Sequence, residues 1–432
     1  MDSFPHGDDI EEILDPFCDP DRPVVVKFER IADAYQKINK DVVRTPCTRS
    51  KLSEPLGVDL YFKKEFMQFT GSFKDRGALY SLLNLTNEQQ AKGVVTTSAG
   101  NHAQALSHQG RRLGVPVTVV MPKQAPLIKV TNCRDLKANV ILHGNRFDEA
   151  KLFGMAYGKH QDLLYINGYD HPDIIAGQGT AGIEILEDVP DVDYVIVPIG
   201  GGGLIAGISA AVKHLKPSVT IIGVESDKCP SWTTAMKYGR PLPCEVSRAG
   251  AADTIADGLA VMEVGCNAFA TANPLIDKVV RVSEDYIGVA ILKMLETEKA
   301  VVEGAGAAGL AAIISGQLPE LQGKRVACLL CGGNIDPNVL VRVVDRAMMM
   351  DGRLNRFSCV ISDRSGGLVK LLAILATSGA SVRDISHDRM SLPAAVFKTC
   401  VTCKVETRDG KHADELREKL FQIYGEDLFW ET

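Results

Sequence analysis

The chain has 432 residues, of which 45% are hydrophobic and 24% charged, and its formal net charge is -6. That length implies two or three domains with a substantial buried core, and the composition is that of a soluble globular protein. The acidic balance leaves no electrostatic footprint for nucleic acid or for an anionic membrane surface, and no apolar run approaches the roughly 20 residues that span a bilayer.

Residues 1–24 are expected to form a flexible acidic tail. Asp2, Asp8, Asp9, Glu11, Glu12, Asp15, Asp19 and Asp21 dominate it. A signal peptide starts basic and carries an apolar core, and a mitochondrial transit peptide is poor in acids. The compartment this implies is the cytoplasm. The 11 cysteines fit it, since an odd number scattered along a long chain reads as reduced thiols.

From about residue 42 to 346 apolar β-branched runs alternate with amphipathic stretches. Strands are expected at 94–97, 115–121, 193–198, 219–225 and 326–330, with helices at 103–113 and 204–215. Strands with so little polar alternation are buried on both faces, as in a parallel sheet covered by helices. The order strand, helix, strand predicts an α/β architecture.

The pattern changes after residue 351. Strands are expected at 357–362, 381–389, 396–407 and 427–430, with helices at 368–377 and 412–424. Leu368, Leu371, Leu372 and Leu375 share one helix face. The order β-α-β-β-α-β within about 75 residues is that of a ferredoxin-like α+β domain. Residues 348–354, with three methionines and Gly352, read as the linker. Cys400 and Cys403 form a C-x-x-C within one expected strand. Residues three apart on a strand point to opposite faces, which predicts packing and not a shared tetrahedral metal.

Four segments carry chemistry. In Thr70-Gly71-Ser72-Phe73-Lys74 a lysine follows a small-residue turn and opens a helical run. The positive end of a helix dipole disfavours an ammonium there and favours the neutral amine that a Schiff base needs. Ser98-Ala99-Gly100-Asn101-His102 lies between strand and helix, where backbone amides cradle a carboxylate or phosphate. Gly200-Gly201-Gly202-Gly203-Leu204 occupies the same kind of junction, and glycines let the backbone approach an anion closely. Counted from Gly201, the dinucleotide spacing reaches Ala206, with Glu225 at a suitable distance. By itself that loop leaves a dinucleotide open, while the absence of a following Lys-Ser/Thr excludes a Walker loop. Cys331-Gly332-Gly333-Asn334 ends an apolar strand, where a parallel sheet meets its ligands. Each segment alone has an ordinary reading: a surface lysine, a capped turn, a buried cysteine.

Together and in this order, the four segments resemble the fold-type II pyridoxal-phosphate (PLP) enzymes. The resemblance is closest to the serine/threonine dehydratase group, which includes serine racemase, and covers about residues 28–347. It implies a tryptophan synthase β-like two-domain core with parallel sheets at 25–350, a small subdomain at about 88–168 being inserted in the large one. By this resemblance Lys74 carries PLP and acts as base at the substrate Cα. Phe73 packs on the pyridine ring, and Asn101 hydrogen-bonds the phenolic oxygen. Gly200, Gly201, Gly202, Gly203 and Leu204 cup the phosphate. Cys331 faces the pyridine nitrogen, and Ser98, Ala99, Gly100, Asn101 and His102 hold the substrate carboxylate. Thr254-Ile255-Ala256-Asp257-Gly258 and Glu303-Gly304-Ala305-Gly306 match segments near the site.

The activity so implied is dehydration and deamination of a hydroxy-amino acid, L-threonine or L-serine. The rival readings are an isomerase of the serine racemase type and a non-catalytic amino-acid sensor. Ala99 argues against the isomerase, because similar racemases carry a proton-donating serine there. Those racemases also hold a divalent cation near the position of Glu225, but residue 231 is serine here where they have a carboxylate. Residues 355–432 resemble an ACT domain through Ser362-Asp363-Arg364-Ser365-Gly366-Gly367-Leu368 and His387. That implies an amino-acid effector or a purely pairing role, and the family implies a homodimer or homotetramer.

Overall fold

The computed structural model describes residues 15–244, 254–389 and 396–431. It divides into two compact units, Met1–Ile335 and Asp336–Thr432. In the first, a six-stranded sheet runs in the order β1 (Cys47–Arg49), β2 (Asp59–Lys63), β10 (Arg325–Leu329), β7 (Tyr194–Pro198), β8 (Thr220–Ser226) and β9 (Lys278–Val282). All neighbours pair in parallel except β1 with β2. A second sheet, wholly parallel, runs β5 (Asn139–Leu142), β4 (Val117–Met121), β3 (Val94–Thr97) and β6 (Leu164–Tyr165). Every residue of β3 and β4 is buried, which explains why both are rich in valine and carry no charged residue. This second sheet occupies the stretch expected for the inserted subdomain.

Two features of this topology position the site. β10 and β7 are parallel neighbours, with Cys328 opposite Ile196. Their C-terminal ends therefore lead into Cys331 and Gly200 at the same edge of the sheet. β3 ends at Thr97 and releases Ser98 into the turn before the helix Asn101–Leu113. Ligand crevices in such sheets lie beyond the strand C-termini.

The helix that Lys74 opens, Lys74–Leu83, is buried over Asp75–Leu82. A buried ionic network fixes it. Arg76 uses all five of its donors: two on Glu65 at 2.8 Å each, two on Glu184 at 2.7 Å each, and one on Thr180 Oγ1 at 3.1 Å. Lys63 Nζ reaches Glu184 and the Thr45 carbonyl at 2.6 Å each. Two cations thus meet two carboxylates with no exposed member.

The second unit has the order β11 (Leu354–Ser362), helix Gly367–Thr377, β12 (Ser381–Asp388), β13 (Lys398–Glu406), helix Gly410–Tyr424 and β14 (Leu428–Glu431). Its sheet is antiparallel, in the order β12-β13-β11-β14, which is the ferredoxin-like arrangement. Phe357, Cys359, Leu371, Val401, Cys403 and Leu416 form its core. Along β13 the buried positions alternate, with Cys403 inside and Cys400 on the other face.

Two boundaries differ from expectation. Met348, Met349 and Met350 do not form a linker. They end the helix Pro337–Met350, which Asp336 caps through Asn338 N and Pro337 begins. Only Gly352, at φ +67°, turns the chain. Within the tail expected at 1–24, residues 1–14 lie outside the described ones, but the rest is anchored. Asp15 is buried, the Phe17 ring lies 4.5 Å from that of His171, and Asn267 binds both Phe17 O and Val24 N.

Candidate active site

Lys74 stands at the first turn of its helix, after Phe73. Its Nζ donates to the carbonyl of Gly168 at 2.5 Å and lies 5.0 Å from the centre of the Phe73 ring. Desolvation lowers its pKa from the usual lysine range to about 8. An amine whose pKa is lowered in this way is more readily available as a nucleophile and a base.

The residue after Gly168 is Tyr169, which walls the glycine loop. A Cβ on Gly203 would lie 2.1 Å from the Tyr169 carbonyl oxygen, and Gly202 has φ +92°. Only glycine fits either position without moving the backbone. Gly203 begins the helix Gly203–Leu215, with Gly202 as its cap. The first amides of a helix have no partner within it and point outward along its axis. Amides so placed suit an anion, and the dipeptide Gly168-Tyr169 lies between this loop and the Lys74 amine.

The remaining motifs close around Lys74. Ser72 bridges to Gly332, and Phe73 N donates to Cys331 O at 3.0 Å. Cys331 is buried, and burial followed by the charge of Glu303 keeps its thiol protonated. Asn101 donates through Nδ2 to Glu303 at 2.8 Å and accepts at Oδ1 from Asn334 at 2.8 Å. Ser98, Ala99, Gly100 and Asn101 are partly open, and Gly100 N is held by Ser98 Oγ at 3.2 Å.

His102 separates from its four neighbours in one respect. Its ring is buried over Gly168. Burial, then the charge of Lys74, lowers its pKa to about 3, so the ring is neutral. What His102 offers the crevice is its backbone at the helix start.

Glu225 is turned inward. It accepts from Trp232 N at 2.9 Å, from Thr233 N at 3.2 Å and from the Thr233 hydroxyl, so it serves the start of the helix Ser231–Tyr238. Among the described residues no group of three His, Cys, Asp or Glu side chains is placed to hold a metal.

Gly168, Tyr169 and Trp232 were not singled out by sequence. No local motif marks them: Gly168 meets Lys74 through its carbonyl, and Tyr169 and the Trp232 ring, 2.6 Å from where a Cβ on Gly202 would lie, wall the glycine loop from distant segments. Glu303 and Asn334 lay inside quoted motifs, but only the fold shows that they meet Asn101.

An amine of lowered pKa beside a glycine-walled anion cradle suits a phosphorylated aldehyde. Residues 38–332 match the family model described as pyridoxal-phosphate dependent enzyme. The chain belongs to this family. It is 40% identical to the L-threonine ammonia-lyase of Thermotoga maritima, a match spanning 92% of this chain and 97% of that protein. Its fold is similar to the processed form of threonine deaminase isoform 2 from Solanum lycopersicum. The TM-score is 0.70 at 35% identity, over 78% of this chain and 94% of that one. It is also similar to serine racemase from Dictyostelium discoideum, with a TM-score of 0.68 at 33% identity, over 72% and 100%.

Proposed function

We propose that the chain is an ammonia-lyase that converts L-threonine to 2-oxobutyrate and ammonia, and L-serine to pyruvate and ammonia, in amino-acid catabolism. The observation that carries it is the Lys74 amine, lowered in pKa and one dipeptide from the glycine loop. The names of the relatives support the substrate class.

In this reading Gly200, Gly201, Gly202, Gly203 and Leu204 would hold the phosphate of PLP, Lys74 and Phe73 its aldehyde and ring side, Asn101 its phenolic oxygen and Cys331 its ring nitrogen. Bound PLP supplies an electron sink for bonds breaking at the substrate Cα. Lys74 Nζ takes the Cα proton, which its lowered pKa permits near neutrality. The amides of Ser98, Ala99, Gly100, Asn101 and His102 orient the substrate carboxylate. Cys331 stays a neutral thiol, a weak partner unable to hold a protonated ring nitrogen as a carboxylate would. That favours quick loss of the β-hydroxyl over reprotonation of Cα. Ala99 has no proton to return to the opposite face, which weighs against the racemase alternative.

The C-terminal unit supports an effector role. Gly366, at φ +94°, caps the helix Gly367–Thr377, and Asp363 pairs with Arg389 at 2.9 Å beside that turn. We assign to this turn an amino-acid effector. Strand β12 is a sheet edge exposed along its length, which suits pairing of chains in a homodimer or homotetramer. No helix among the described residues is long and apolar enough to cross a membrane, and all cysteines are free, in keeping with a reducing cytoplasm. For a divalent cation at Glu225 the support is a single carboxylate already engaged in hydrogen bonds. Chelator-sensitive activity restored by Mg²⁺ would establish it.

Product analysis tests the reading. A 2-oxo acid with equimolar ammonia supports the lyase. D-serine as main product replaces it with the isomerase, and tight amino-acid binding without turnover replaces it with the sensor.

A further inference from the structure

An asparagine amide has a donor end and an acceptor end, and which end faces a ligand decides what it can bind. For Asn101 the choice is fixed by a chain of contacts starting at a group with no choice. The Thr70 carbonyl can only accept. Asn334 Nδ2 lies 2.7 Å from it, so the Asn334 nitrogen is fixed on that side. The same nitrogen lies 2.8 Å from Asn101 Oδ1, which turns the Asn101 oxygen toward it. Asn101 Nδ2 then faces Glu303 Oε1 at 2.8 Å.

Glu303 is held in turn. It is buried and caps the helix Gly304–Ile314, and its backbone N–H donates to Gly332 O at 3.0 Å. A Cβ on Gly332 would lie 2.2 Å from Glu303 Oε1, so the carboxyl packs directly on the Gly332 backbone, where only glycine leaves it space.

We propose that Glu303 and Asn334 are positioning residues that lock the Asn101 amide from both ends. One Nδ2 hydrogen is spent on Glu303, and the second is left as a fixed donor for an oxygen of the cofactor. This rests on the reading in which Asn101 meets the phenolic oxygen of PLP. Burial, then the charge of Asp257, raises the Glu303 pKa to about 7. In either protonation state one carboxyl oxygen still accepts, so the lock holds across the neutral range.

The test compares Glu303→Met with Glu303→Gln in the full chain titrated with PLP. The side chains are of similar volume, but only glutamine keeps an acceptor for Asn101. The readouts are the absorption maximum of the bound cofactor and its apparent Kd. Losing a buried hydrogen bond predicts about tenfold weaker PLP binding and a shifted maximum for Glu303→Met, with both largely restored in Glu303→Gln. Asn334→Leu, which frees the other end, moves the maximum in the same direction. If both Glu303 variants keep the unmodified spectrum and Kd, or lose melting temperature alike with no spectral difference between them, the inference fails. An unmodified protein that takes up no PLP overturns the underlying reading instead, and the inference with it.

Discussion

Lys74 Nζ and the carbonyl oxygen of Gly168 are 2.5 Å apart, and that contact ties the reactive amine to the wall of the glycine loop. Gly168 is followed by Tyr169, whose carbonyl oxygen lies where a Cβ on Gly203 would be. The amine and the glycine loop come from segments far apart in the sequence, and this dipeptide lies between them.

The lowered pKa of Lys74 gives cofactor uptake a pH dependence. Only the neutral amine attacks an aldehyde. An ordinary lysine, at about 10.4, would be almost wholly protonated at pH 8. With the amine depressed to about 8, the rate at which apoprotein takes up PLP rises with pH and reaches half its plateau near pH 8. Stopped-flow absorbance across pH 6–10 measures it, and a midpoint near 10 would show that desolvation is not acting.

Gly203→Ala places a methyl group against the Tyr169 backbone, and a backbone atom cannot swing aside. Over-packing of this kind costs about 1–3 kcal/mol. Chemical denaturation should show that loss, and PLP affinity should fall in parallel because the cradle shifts. An unchanged Kd for PLP would mean that the loop does not touch the phosphate.

Arg76→Met leaves Glu65 and Glu184 buried without their shared guanidinium. Removing one partner of a buried ion pair costs about 3–5 kcal/mol. The present network holds the Glu65 pKa below the ordinary carboxylate value against its own burial. A carboxyl with a depressed pKa contributes stability that is present above its unfolded value, about 4.3. That contribution is lost as pH falls through the lower folded value. Urea titrations should therefore show a much reduced midpoint for Arg76→Met at pH 7. The gap from the unmodified chain should narrow on acidification below pH 4.

Cutting the chain after Asp351 removes β11 to β14 and with them the Asp363–Arg389 turn. The prediction is keto-acid formation that no longer responds to added amino acids, where the full chain does. Identical kinetics and identical effector response in the two forms would leave the second unit a pairing module only.

Much of this was legible in the sequence. β3 was placed to the residue, because a short β-branched run between helical segments leaves little choice. The glycine loop and the Lys74 turn stand out in the sequence because clustered small residues just before a helix mark both. What sequence hid was long-range. Asp15 to Val24 read as a tail from their charge, while their anchors, His171 and Asn267, lie far along the chain. The three methionines suggested a linker only because the Asp336-Pro337 helix start was overlooked, and methionine is a good helix former. Tyr169 acts through its carbonyl and ring position, which no residue pattern announces.

The most direct measurement is 2-oxo acid release by the PLP-loaded chain from L-threonine and L-serine in parallel, beside Lys74→Ala. The account predicts 2-oxobutyrate and pyruvate with equimolar ammonia, and a rate at least a hundredfold lower in the variant, since a positioned base contributes about 10²–10⁴-fold. No keto acid from either substrate, or full activity without Lys74, would contradict it.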